Sequence, residues 1–175
     1  MPIQIKKPRF KPCDRTYRIS AAVTMAVTVV FAAALIFLMR IIVGAANMDA
    51  EDFPLKVKLS AAGLFAVYIL YFASCVTSLA LGVRAYRRED NVRVLSQSAF
   101  FLAASVFCLM NLQLALAVVF SAFDLDEAAR KVTGAQTYGD FVQGQFASWV
   151  CLIAGMVGTL VTGILAVVKL KSNRK

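Results

Sequence analysis

Few residues in this chain have the types and spacing that reactive chemistry needs. Histidine is absent, which removes bis-histidine haem ligation, imidazole metal sites and imidazole general-base catalysis. No Asp or Glu falls inside a long apolar run, so a carboxylate relay across a membrane has no members. The acids between the runs lack the spacing of a calcium loop. Walker loops, dinucleotide fingerprints and nucleophile elbows are missing too. What remains is a sparse polar set within apolar sequence: Tyr68 and Tyr71, Asn111 and Gln113, and the threonines near the C-terminus. Their chemistry is hydrogen bonding. The sequence therefore assigns no catalytic, cofactor-binding or metal-ligating residue and predicts a protein that is not an enzyme.

Four apolar runs must hold these groups, at about residues 20–46, 59–83, 94–123 and 147–168. At about 1.5 Å per residue, each can cross a hydrocarbon core of about 30 Å. With 60% hydrophobic residues and a mean hydropathy of +0.72, the chain exceeds the roughly 45–50% apolar content of globular domains. The expected fold is all-α: one polytopic four-helix membrane bundle over residues 1–175, up-down-up-down, with no room for a soluble domain. A basic lead precedes the first run and no small-residue cleavage site follows Met39, as in a retained signal-anchor. The same lead suits a mitochondrial address. Plasma membrane, endomembrane and mitochondrial inner membrane all stay open.

Charge sorts by segment. The arm over 1–18 carries Lys6, Lys7, Arg9, Lys11, Arg15 and Arg18. The connection between runs two and three carries Arg84, Arg87, Arg88 and Arg93, and the tail over 169–175 carries Lys169, Lys171, Arg174 and Lys175. These are fourteen of the nineteen basic residues, whereas seven of the ten acids lie in the other two connections. Basic flanks are retained on the cytoplasmic or matrix side, so both termini and the middle connection are expected to face inward. Near an anionic leaflet each cation gains roughly 1 kcal/mol. Lys6, Lys7, Arg9, Lys11, Arg87, Arg88, Lys171 and Arg174 are thus candidate headgroup contacts. The net charge of +9 needs no nucleic-acid partner, since no RNA-binding fold or aromatic platform accompanies it.

The cysteines form no disulfide set. Cys13 precedes the first run, Cys75, Cys108 and Cys151 fall inside runs, and no C-x-x-C pair occurs. Cys13 is a candidate for S-palmitoylation beside a plain free thiol.

Helical geometry sharpens the polar set. Asn111 and Gln113 lie about 200° apart around a helix. Asn111 shares its stripe with Ala104, Cys108, Ala115 and Ala122, which favours a bundle-facing position, while Gln113 shares a bulkier face and is expected nearer a second surface. In run two, Leu64, Tyr68, Tyr71, Cys75, Ser78 and Gly82 form one stripe. Tyr68 and Asn111 both come about 23 Å above the inner edge, which predicts a Tyr68–Asn111 hydrogen bond. In run four, Ala154, Gly158 and Thr162 lie on one line and Gly155, Thr159 and Gly163 on the next. Together they are a small-residue interface, for intrachain packing first and dimerisation second. Arg40 is expected to snorkel to the outer headgroups, with Asp49 or Glu51 as a staple, and Trp149 to join an outer aromatic belt. Asp52 with Pro54 marks a helix start, and the Asp124–Lys131 stretch predicts a short surface helix.

Four helices, inward termini, a tight inner turn and a longer second outer loop resemble MARVEL-type and other tetraspan proteins. The chain lacks the Trp-Gly-Leu-Trp-type signature and loop cysteines of claudin-like proteins, and the Cys-Cys-Gly motif of tetraspanins. The resemblance implies architecture and transfers no residue role. The expected function is a structural or accessory subunit of a membrane complex or a membrane organiser. Its partners would be lipids and either other membrane subunits or further copies of the chain. The alternative is a small oligomeric channel or transporter lined by polar residues of runs two to four. A third option, an outer-face enzyme, would draw on Asp124, Asp126 and Arg130.

Overall fold

A computed structural model describes residues 15–44, 54–89, 92–123 and 146–172. They form four helices: α1 (Arg15–Gly44), α2 (Leu55–Glu89), α3 (Val92–Ala122) and α4 (Phe146–Ser172). No strand occurs among the described residues. All four are long and apolar enough to cross a membrane, over Arg15–Ile42, Leu55–Arg88, Arg93–Phe120 and Trp149–Ala166. Valine is abundant in α1 and would favour strands in water. Inside a bilayer every peptide group must be satisfied within its own segment, so helix prevails.

The helix ends follow local rules. Pro54 stands just before α2, and Val57 N–H donates to the Pro54 carbonyl at 2.8 Å. A residue lacking its own N–H belongs at this point, where first-turn amides have no intrahelical acceptor. At the end of α3, Phe123 N–H is shared between the Val119 and Phe120 carbonyls, both at 3.2 Å, a tightening common in last turns. The expected surface helix of the 124–145 connection, the Asp52 cap and the Arg40 staple acids all lie outside the described residues.

Each helix packs on two neighbours, α1 on α2 and α4, and α3 on α2 and α4. The core is layered. At one end Tyr17, Ala21, Ala85, Val94, Phe101 and Ala166 meet from all four helices. The middle holds Phe31, Leu64, Tyr68, Tyr71, Cys75, Ala104, Cys108, Leu152 and Met156, with Phe31 stacked on Tyr71 at 5.0 Å between centroids. At the other end Ala61, Val118 and Ala122 close the bundle. Outward faces are apolar, with Ile36, Phe37, Leu70 and Val168 among the exposed side chains. That surface suits hydrocarbon and not water.

Glycine sets the interhelical spacing on α4. A Cβ on Gly163 would lie 2.4 Å from Met25 Cβ and 3.1 Å from the Ala21 carbonyl oxygen, and one on Gly155 would lie 3.3 Å from Ala104 Cα. The Gly155–Thr159–Gly163 line is therefore occupied within the chain, by α1 and α3. On the neighbouring line Thr162 is buried, Gly158 half-buried beside Phe100, and Ala154 exposed.

Candidate functional site: a hydroxyl seam and an adjoining cavity

A seam of hydroxyls lies where α1, α2 and α4 meet, and its first half joins α1 to α2. Ser20 Oγ lies 2.6 Å from Ser78 Oγ, Ser78 Oγ 2.8 Å from Thr24 Oγ1, and Thr24 Oγ1 donates to the Ser74 carbonyl at 3.1 Å. Each hydroxyl carries one hydrogen, and a single direction satisfies all three contacts: Ser20 to Ser78, Ser78 to Thr24, Thr24 to the backbone. Such a chain is mutually polarising.

The second half ties α1 and α2 to α4. Thr28 Oγ1 donates to the Thr24 carbonyl at 2.7 Å, and Thr159 Oγ1 to the Met156 carbonyl at 2.9 Å. Thr28 and Thr159 lie 3.1 Å apart, and the Tyr71 hydroxyl lies 3.4 Å from Thr159. With one hydrogen each, the two threonines bond each other only when one releases its own-helix carbonyl. Tyr71 supplies Thr159 with a further donor. The seam can hold helices in register, but it contains no group able to take a proton from a substrate.

Beyond Tyr71 the interior turns apolar. A cavity of about 40 Å³ is walled by Phe31, Met39, Leu64, Tyr68, Asn111 and Trp149, among other side chains of all four helices. It exceeds the roughly 10–15 Å³ a water needs, but a bound water also requires two to four polar partners. Its walls are almost wholly carbon.

Tyr68 and Asn111 share that cavity, but the predicted bond between them is not the one formed. The Tyr68 hydroxyl donates to the Cys108 carbonyl, and Asn111 Nδ2 donates to the Phe107 carbonyl at 2.9 Å. A helical carbonyl keeps a second lone pair, so a tyrosine reaching across the α2–α3 contact finds backbone before the amide one turn on. Asn111 is 2% exposed, while Gln113 is exposed on the outer face of α3.

The other sequence candidates fall as follows. The α2 stripe Leu64, Tyr68, Tyr71, Cys75, Ser78 and Gly82 is buried throughout. Trp149 is half-buried and packs inward on Leu114 and Ala117. Arg40, Arg87 and Arg88 are exposed. Lys171 belongs to α4, and Lys6, Lys7, Arg9, Lys11, Cys13 and Arg174 lie outside the described residues. Cys75 and Cys108 are buried free thiols and Cys151 is a half-buried one. Among the described residues no cluster of His, Cys, Asp and Glu could hold a metal.

Sequence reasoning missed Ser20 and Ser74 in the seam, and it missed the burial of Arg18, which is 7% exposed. The serine positions were legible as an i, i+4 match between α1 and α2 only once the helices were in register. No family model matches the chain, and neither a curated protein nor a solved structure does.

Proposed function

We propose that this chain is a non-catalytic integral membrane protein, a structural or accessory subunit of a membrane complex or an organiser of its lipid surroundings. The topology would be up-down-up-down. Contacts that step down α2 as they step up α1 support it: Ser20 with Ser78, Thr24 with Ser74, Phe31 with Tyr68. The inward assignment of both termini and the α2–α3 connection rests on the basic flanks. At the level of architecture alone the layout supports a MARVEL-like organisation.

One observation carries the accessory role. Interior hydroxyls and amides bond to neighbouring helices or to their own backbone; of the side chains exposed at depth, Thr77 bonds its own helix at the Ala73 carbonyl, while the amide of Gln113 points outward from α3. An amide in hydrocarbon without a partner costs at least 1–3 kcal/mol or so. A helix of another subunit, or of a second copy, would relieve it.

Isolation in a gentle detergent, followed by identification of co-purifying chains, tests this. A stoichiometric set of partners is expected. A pure homo-oligomer that conducts ions, with conductance abolished by Asn111→Leu, would replace the accessory role with a pore.

A further inference from the structure

We propose that the cavity beside Trp149 is a seat for hydrocarbon, and that its occupant is the end of an acyl chain of a surrounding lipid. The site rests on the chain spanning a membrane and is independent of the accessory role.

All four helices wall the cavity: from Phe31 to Met39 on α1, Ala61 to Tyr68 on α2, Asn111 to Val118 on α3, and Trp149 to Leu152 on α4. Each stretch lies inside the apolar segment of its helix. Two walls are polar side chains, and both are turned onto backbone: the Tyr68 hydroxyl donates to the Cys108 carbonyl, and Asn111 Nδ2 donates to the Phe107 carbonyl. What faces the void is almost wholly carbon. A water entering it would give up hydrogen bonds without finding the two to four partners it needs. Left empty, the walls forfeit dispersion contacts on that side. A carbon guest restores those contacts and desolvates no polar group.

Size and access select a chain end. A volume of about 40 Å³ holds roughly three water-sized spheres, enough for the last carbons of a chain and too little for a doubled-back chain or a ring system. The void is not sealed. The free space among its walls, open surroundings included, comes to about 420 Å³, and Leu35, Met39, Phe65, Ala115 and Trp149 are only half-buried. In a bilayer the medium around these helices is lipid chain, at a concentration no dissolved solute approaches. Met39, unbranched and flexible, gives the wall the adaptability that a mobile guest requires.

The test uses the purified full-length chain in phosphatidylcholine bilayers, where lipid brominated near the chain end or near the carboxyl quenches the single tryptophan, Trp149. Trp149 opens a span of 18 residues, so about nine residues, or about 13 Å, separate it from the midplane. Lipids lying along the outside bring carboxyl-side bromines past it and keep chain-end bromines deeper. A chain end seated in the cavity lies against Trp149, so chain-end bromines are expected to quench at least as strongly as carboxyl-side ones. Ala115→Leu fills the void from α3 and should abolish the chain-end quenching while carboxyl-side quenching persists. Weaker chain-end than carboxyl-side quenching in the parent chain overturns the proposal, as does an equal chain-end response in Ala115→Leu. If bromobutane in unbrominated lipid quenches Trp149 to a plateau that Ala115→Leu removes, and chain-end-brominated lipid does not, the occupant is a free solute and the lipid assignment falls. Should Ala115→Leu not be recovered folded, Ala61→Val narrows the void from α2, and unchanged chain-end quenching there overturns the proposal. A chain that stays folded and dispersed without detergent or lipid would instead overturn the membrane-spanning premise.

Discussion

Replacing Gly163 by alanine isolates how closely α1 and α4 approach. The added methyl would lie 2.4 Å from Met25 Cβ, more than 1 Å inside the favourable carbon–carbon separation. Met25 Cβ is fixed to its own backbone, so rotating a side chain cannot relieve the contact, and the Ala21 carbonyl oxygen at 3.1 Å blocks the other direction. The helices must part by about an ångström, and the Thr28–Thr159 contact at 3.1 Å, one turn away, opens with them. Overpacking costs about 1–3 kcal/mol and a lost membrane hydrogen bond about 0.6–2 kcal/mol. Alanine returns about 1 kcal/mol of helix propensity. Net destabilisation of about 1–4 kcal/mol follows. Gly158→Ala is the control, because its methyl meets Phe100 Cδ1 at 3.2 Å and Phe100 is exposed, free to swing away. That variant should be neutral, or more stable by up to about 1 kcal/mol. Equilibrium unfolding in mixed micelles, followed by the fluorescence of the single tryptophan, Trp149, measures both. Gly163→Ala matching or exceeding Gly158→Ala in stability would refute a glycine-set α1–α4 contact.

Thr159→Val keeps shape and removes the junction between Thr28 and Tyr71, and should cost about 0.6–2 kcal/mol in the same unfolding assay. Tyr71→Phe, losing a long contact of 3.4 Å to Thr159 and a weak bond with the Cys75 thiol, should cost less than Thr159→Val. A membrane-permeant maleimide applied to the folded protein in detergent should modify half-buried Cys151 before buried Cys75 and Cys108, with the order read by mass spectrometry of peptides; simultaneous modification would mean the middle layer is open. Gln113→Leu should leave unfolding unchanged while weakening crosslinking to a partner helix or a second copy. Undiminished crosslinking removes Gln113 from any interface.

The spans were legible because hydropathy reports directly on what a bilayer admits. The helices themselves run further, from Arg15 where apolar sequence suggested about residue 20, and to Glu89 where it suggested about 83. Backbone hydrogen bonding does not stop where lipid does, and charged turns continue a helix into headgroups. Asn111 and Gln113 could be separated by angle alone, since a helix fixes that angle. Tyr68 was placed at the right height with the wrong acceptor, because a side-chain pattern contains no trace of a backbone carbonyl's second lone pair. The hydroxyl seam was hidden for another reason. Serine and threonine in a helix can satisfy themselves on the carbonyl a turn earlier, as Ser98 and Ser105 do, so only interhelical register tells which of them reach across. Arg18 looked like topology charge, and its burial cannot be read from the sequence of α1 alone.

The seam and the cavity divide the bundle into unlike halves. From Ser20 to Thr159 the helices are joined by a run of directional bonds, while around Met39, Ala61 and Val118 the described side chains that meet are mostly apolar, beside a small void with the Tyr68 bond to the Cys108 carbonyl at its edge. Lateral tension or a thinner bilayer would therefore not loosen the molecule evenly. The void end would splay first, and the hydroxyl end would act as its hinge.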